Sequence, residues 1–393
     1  MKRGRLMAKK LLALLLCAAL TAGLAACGGF DLASLLRGSG DWDNTPVAES
    51  KTGSPFKYYF SQLDNKGKQA YNNILENAES MAESIEVPYL SQNELNTVFE
   101  AVLYDNPQLF FLGRSCSITV KGLKSYFVPD FLLDAAQYAE MKAKVEAAAD
   151  KIIRGIPKGA DDFTAELAIN DAVVEKCSYS GSGDEIENTV YGSLIDGKAT
   201  CEGYAKAVKL LADKAGIDCY VIAGMSKSNS ETYQSHMWNV IRIGGDWYNL
   251  DATWNDPVNE KGVNEPRRTY FNLTDEEIGI THKDFSSANK CTATAENYFV
   301  RSGLLFDRFG DKEKQRTARA IAGEAGAGKT RAEIKFTGRD LYADTLIRLF
   351  EKGGIYDILE QADQQTKKDI NTASVSYIEN PEFNIIEIIF KVG

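Results

Sequence analysis

The sequence predicts a chain that mixes helices and strands but gathers them in separate runs, and three patterns carry that reading. An Ala-rich stretch opening at Asp134 keeps helical spacing to about Arg154. Cys201, Tyr204, Ala205, Val208, Leu211, Ala212 and Ala215 recur at helical spacing, and Gly216 stands where a C-terminal cap belongs. His236 to Ile243 and Asp246 to Trp254 are β-rich runs around Gly244-Gly245, the signal of a hairpin with a two-residue primed turn. At 393 residues the chain exceeds one ordinary core, so two or three units are expected.

Residues 1–26 read as an export leader: Lys2, Arg3, Arg5, Lys9 and Lys10, then the apolar run Leu11 to Leu20, then small residues. The run is too short for a stable span. Leu24-Ala25-Ala26-Cys27 resembles the lipobox of bacterial lipoproteins, which implies cleavage before Cys27, acylation of its thiol and an extracytoplasmic, membrane-anchored protein. Residues 27–54, from Gly28-Gly29 onward, read as a flexible tether. Net charge is −10; residues 1–26 hold five cations and no acid, leaving −15 on the rest. So acidic a body argues against nucleic acid and anionic headgroups as partners.

Residues 55–158 form an N-terminal, mainly helical unit. A helix is expected around Lys66 to Met81, and another opens at Ser91, where Glu94 completes a capping box, and ends at Asp105-Asn106-Pro107. Leu109 to Leu112 and Cys116 to Val120 read as strands before the Asp134 helix. Residues 159–300 are expected to hold a helix from Asp162 to Lys176, a turn at Asp196-Gly197, the Cys201 helix, a strand from Cys219 to Ala223 and then the hairpin. Residues 301–393 read as a linker or surface helix from Asp307 to Thr330, then a small α/β unit with a strand near Ile334, helices from Asp340 to Glu360 and a hairpin around Asn380-Pro381.

Of seven cysteines, Cys17 leaves with the leader and Cys27 takes lipid, so Cys116, Cys177, Cys201, Cys219 and Cys291 remain. The odd count leaves a spare thiol in an exported protein. No cysteine pair has metal-ligand spacing and the chain has two histidines, so no zinc site is expected. Each of Cys201, His236 and Asp251, alone, reads as well as buried filler, a packed strand residue and a solvated cap. Their conjunction reads otherwise. With Gly244-Gly245 as the turn, His236 faces Thr253 and Asp251 faces Trp238, so His236 and Asp251 are diagonal neighbours on one face. Cys201 at a helix start feels the positive end of the dipole; an adjacent imidazolium favours its thiolate, a carboxylate orients the imidazole, and the Cys201 N–H can meet an oxyanion.

Three segments carry a family resemblance: Tyr191-Gly192-Ser193-Leu194-Ile195-Asp196-Gly197-Lys198-Ala199-Thr200-Cys201-Glu202-Gly203-Tyr204-Ala205, Ser235-His236-Met237-Trp238-Asn239-Val240, and Trp247-Tyr248-Asn249-Leu250-Asp251-Ala252-Thr253-Trp254. In this order, with Tyr270-Phe271-Asn272 after them, they resemble the transglutaminase-like family in its bacterial exported form, over about residues 160–285. The resemblance implies an α+β, papain-like fold and a Cys201-His236-Asp251 triad. It leaves open cross-linking, hydrolysis, deamidation or a non-catalytic scaffold at the cell envelope. Tyr191 stands as a second oxyanion donor or a core tyrosine. Animal members use calcium, but no compact carboxylate cage stands in this sequence, and no cofactor or metal is expected.

Two other signals are set aside. Gly323 to Thr330 matches the phosphate-loop pattern letter for letter, but a charged, helix-like stretch precedes it and a strand follows, the reverse of what the pattern needs. Substituting Lys329 is therefore expected to leave stability unchanged. His282, in a polar stretch beyond the hairpin, reads as a surface or loop residue; Trp238 and Trp247 share the face of His236 and either shelter the site or fill core. The expected function is thiol chemistry on an amide or peptide bond of a protein or cell-wall peptide.

Overall fold

The computed structural model of the protein describes residues 46–227, 232–257 and 265–393; the expected leader, residues 1–26, and Cys27 lie outside the described residues. The fold is α+β, with a papain-like middle in which the helix Cys201–Ala215 packs against an antiparallel sheet.

Ahead of it stand the helices Asn65–Asn77, Gln92–Asp105 and Ala135–Gly155. Ser91 opens the second through a capping box: its hydroxyl accepts from the Glu94 N–H, and the Glu94 carboxylate accepts from the Ser91 N–H at 2.7 Å. Asp134 and Gln137 repeat the device for the third. The run from Leu109 makes a turn, and the strand begins at Leu112 and continues to Lys121. Its partner, Lys124–Phe131, was not anticipated, since Lys124, Pro129 and Asp130 break the apolar alternation that marks a strand. Residues 46–54, read as the end of a tether, lie against this unit: Ser54 is buried and its N–H donates to Asn106 Oδ1 at 3.0 Å.

Two large apolar cores hold the chain. The first runs from Phe60 through Phe99, Val145 and Ile169 to Leu211 and Phe271, so the helical unit and the middle unit share it without a break at residue 158. The second begins at Tyr270 and gathers Phe299, Ile321, Ile334, Ile358 and Ile386, so packing changes hands near residue 270 rather than 300.

The middle sheet runs Asp246–Leu250, Gln234–Ile243, Cys219–Ser226, His282–Lys283, every pair antiparallel. Gly244 and Gly245 turn the hairpin with φ of +62° and +98°, backbone a side chain strains. Ile243 faces Asp246 and Asn239 faces Leu250, the register a two-residue turn imposes. The ladder stops there. The expected pairs of Trp238 with Asp251 and His236 with Thr253 do not form, because Asp251 leaves the strand and donates its N–H to Tyr270 O at 3.0 Å.

The C-terminal unit has a four-stranded sheet, Leu305–Phe306, Arg331–Phe336, Ile385–Val392 and Ile370–Asn380 in order across it. The stretch read as a linker or surface helix is mostly the helix Asp311–Gly326, whose Ala318, Ile321, Ala322 and Ala325 are buried in the second core. Short alanines made that face look neutral in sequence. The phosphate-loop match spans the C-terminal end of this helix, and Lys329 Nζ lies 3.0 Å from Asp171 and 3.5 Å from Glu175 of the helix Asp162–Lys176. It ties the two units together.

Candidate active site

Cys201 is the first residue of its helix, and Thr200 holds the N-cap position with extended backbone. Thr200 does not cap. Its hydroxyl donates to Asn188 Oδ1 at 2.7 Å and its N–H to Glu187 O at 2.9 Å, so the first turn of the helix has no capping side chain. Gly203 lets the Glu185–Asn188 turn press on that first turn: a Cβ there would meet Glu187 O at 2.5 Å. From the other side, Asn239 Nδ2 donates to Ala205 O at 2.9 Å and Tyr204 Oη to Asp256 Oδ2 at 2.6 Å, fixing the helix to the hairpin.

His236 and Asp251, which the sequence placed as diagonal neighbours, meet directly: Nε2 and Oδ2 are 2.7 Å apart, with His236 6% exposed and Asp251 fully buried. Cys201 lies beside the His236 side chain and favours its imidazolium. With Nε2 committed to Asp251, Nδ1 is the nitrogen left for the thiol. Burial works against the imidazolium, but the charge of Asp251 and its hydrogen bond outweigh it, so the His236 pKa is pushed up to about 10. Burial likewise works against the Asp251 carboxylate, and His236 and then His282 hold it below the usual carboxylate range. The pair is therefore ionised at neutral pH.

His282 is the residue the sequence reading misplaced. It is buried, 1% exposed, on an edge strand of the middle sheet, and its Nε2 lies 3.1 Å from the same Asp251 oxygen. The Trp238, Trp254 and Tyr270 rings surround it at 4.9, 4.9 and 5.9 Å. A two-residue strand 31 residues beyond Asp251 leaves no periodic trace; the one available signal was that the chain holds a single other histidine. His236, Asp251 and His282 also offer three ligand-type atoms within 4.8 Å of one another, although no metal was expected; here the two imidazoles act as donors to one carboxylate oxygen.

Tyr191 does not join this group. Its ring centroid lies 6.2 Å from that of Phe110, and it packs against the first core, which assigns it the core role of its two sequence readings. Tyr104 packs in the same small apolar cluster as Cys201, and Tyr179, exposed and two residues beyond Cys177, lies near the thiol as well. Trp238 stacks on His236 at 6.0 Å, while Trp247, farther along the same face, packs against Phe56 and Tyr220 at 5.7 and 5.5 Å.

A cleft of about 580 Å³ opens beside His236. Tyr179, Thr253 and Trp254 line one side, and Glu379, Pro381 and Glu382 of the C-terminal hairpin line the other. The Tyr270 and Phe383 rings, 5.2 Å apart, hold that hairpin in place. Cys201 is half-buried behind Met237, Val221 and Ala205, beside rather than on the cleft wall. The C-terminal unit, without chemistry in its sequence, thus shapes access to the site.

Residues 146–252 match the family model described as the transglutaminase-like superfamily. Kyphoscoliosis peptidase of Mus musculus and that of Homo sapiens are each 34% identical to the chain over 64 residues, 14% of this chain and 10% of the relative. The chain thus matches about a tenth of the length of those curated relatives. Among solved structures, a TGase crystal structure is 12% identical with a TM-score of 0.26, covering 42% of this chain and 48% of that one. A putative cysteine protease from Cytophaga hutchinsonii is 12% identical with a TM-score of 0.25, covering 35% and 61%. The periplasmic domain of TgpA from Pseudomonas aeruginosa is 18% identical with a TM-score of 0.22, covering 33% and 55%.

Proposed function

Because residues 146–252 form a transglutaminase-like domain, and such domains usually belong to cysteine proteases or acyltransferases, we propose that this protein is a cell-envelope thiol enzyme acting on amide or peptide bonds. The observation that carries the proposal is the buried His236–Asp251 pair with Cys201, the first residue of its helix, beside the imidazole. The Cys201 sulfur attacks the carbonyl carbon, and the first-turn N–H groups take the charge forming on oxygen. The C–N bond then breaks as His236 passes its proton to the departing nitrogen, leaving a thioester on Cys201 and free amine or ammonia. Water or a second amine attacks the thioester, returns a proton to His236 and restores the thiolate. Asp251 stays ionised throughout and orients the ring.

The substrate is a protein or cell-wall peptide, and the protein reaches it from the membrane surface through a lipid on Cys27; this part rests on the leader and the Leu24–Cys27 pattern alone. Among the described residues, no helix is long and apolar enough to cross a membrane. The test incubates purified protein with a labelled primary amine and envelope extract and follows incorporated label, released ammonia and new peptide termini. Label means transfer to amines, ammonia alone means deamidation, and new termini mean proteolysis. A Cys201→Ala protein that matches the wild type in all three leaves a non-catalytic scaffold as the function.

A further inference from the structure

We propose that His282 is a positioning residue for this site, holding the Asp251 carboxylate in the one orientation that serves His236, and is itself locked by Thr281 and Tyr270. The inference rests on Cys201 being the nucleophile, and it adds a residue that the Cys-His-Asp arrangement does not contain.

A carboxylate with no solvent contact must find its donors in the protein. Asp251 has three: the His236 ring at 2.7 Å and the His282 ring at 3.1 Å on Oδ2, and the Trp254 N–H at 3.1 Å on Oδ1. An ionised carboxylate only accepts, so both imidazoles carry a proton on Nε2. One of the two imidazoles faces the thiol. The other faces Thr281, whose Oγ1 lies 2.9 Å from His282 Nδ1. That contact holds the second nitrogen of the His282 ring, and the Tyr270 ring packs on it at 5.9 Å. Two arms thus converge on Asp251: His282, held by Thr281, on one side, and His236, with Cys201 beside it, on the other.

The surroundings hold His282 in place. Its ring stands between Trp238, Trp254 and Tyr270, and its strand pairs with Cys219–Ser226, whose other edge carries His236. Gly224 makes the arrangement possible, because a Cβ there would sit 2.7 Å from the Trp238 ring and 2.9 Å from Lys283 O. Without the His282 donor, Oδ2 keeps His236 alone, and the carboxylate can turn about its own side-chain bonds. Among the described residues, the titratable groups beside His236 are Cys201, Asp251 and His282. Loosening Asp251 therefore changes the pH at which His236 loses its proton and the rate at which the thiolate reacts.

The experiment follows iodoacetamide alkylation of Cys201 against pH in the full chain, beside ¹⁵N-histidine spectra, which contain two imidazoles and so resolve both. In folded His282→Phe, alkylation at pH 6 should fall about tenfold, the loss of one hydrogen bond to a charged group, and His236 should deprotonate about one pH unit lower. His282→Gln, which keeps an N–H donor, should recover most of both. Thr281→Val should slow alkylation in the same direction and Thr281→Ser restore it. Wild-type alkylation and titration in His282→Phe overturn the proposal, as does equal loss in His282→Phe and His282→Gln, which marks a packing role. If His282→Phe does not fold, Thr281→Val decides: an unchanged profile there overturns it. A wild-type protein whose Cys201 resists alkylation at pH 6 sinks the thiol-enzyme reading instead.

Discussion

Asn239, fully buried on the strand that carries His236, donates its side-chain amide to Ala205 O on the helix that carries Cys201, at 2.9 Å. With the Tyr204–Asp256 bond, it ties the helix to the strand that carries His236. Asn239→Ala should cost about 1–3 kcal/mol, the usual loss for a buried hydrogen bond with an orphaned partner, read from urea unfolding. Cys201 alkylation should slow in the folded variant. If alkylation is unchanged, other contacts set the helix position.

Cysteine selectivity separates an activated thiol from a packed one. Burial pushes the Cys116 and Cys177 thiols up to about 11 and also raises Cys219 and Cys291. At pH 6, with limiting iodoacetamide, mass spectrometry should find Cys201 modified well ahead of those four, since it sits beside the His236 imidazolium. His236→Ala should remove the preference. Uniform labelling in the wild type would contradict the proposed role of Cys201.

The His236–Asp251 pair makes stability depend on pH in a stated direction. The folded His236 pKa, about 10, exceeds the ordinary imidazole value of about 6.5, so its contribution is complete below about pH 6.5 and fades as pH rises through about 10. Asp251 is shifted the other way, so its contribution is present above its ordinary pKa of about 3.9 and is lost as acid protonates it. The stability advantage of wild type over His236→Gln should therefore be on the order of 3–5 kcal/mol near pH 6 and shrink toward pH 10. A difference that stays flat from pH 6 to pH 10 would contradict the raised imidazolium.

Lys329 revises the expectation that its substitution is silent. It pairs with Asp171 and Glu175 across the two units and is partly buried. Lys329→Ala should lower unfolding stability by about 1 kcal/mol, and ATP with magnesium should protect neither protein against thermal unfolding. Nucleotide-dependent protection of the wild type alone would restore the phosphate-loop reading.

Anchoring is tested at Cys27. Cys27→Ser should move the protein from the membrane fraction to the soluble fraction or stall its processing. A variant that stays membrane-bound and is processed normally would remove the lipid from the proposed function.

The sequence by itself determined the helix that begins at Cys201 and the Gly244-Gly245 hairpin with its register as far as Asn239 and Leu250, because helical spacing, strand alternation and turn chemistry act between residues close in the chain. Only the tertiary structure decided what those residues touch. His282 reaches Asp251 through an edge strand with no pattern of its own, Tyr191 turns into the core, and residues 379–382 come round to wall the cleft. The alanines of Asp311–Gly326 become core once a sheet lies against them. Each of these outcomes depends on burial against segments tens of residues away, and side-chain burial leaves no local periodic signal when the elements are short, the residues small or the charges paired.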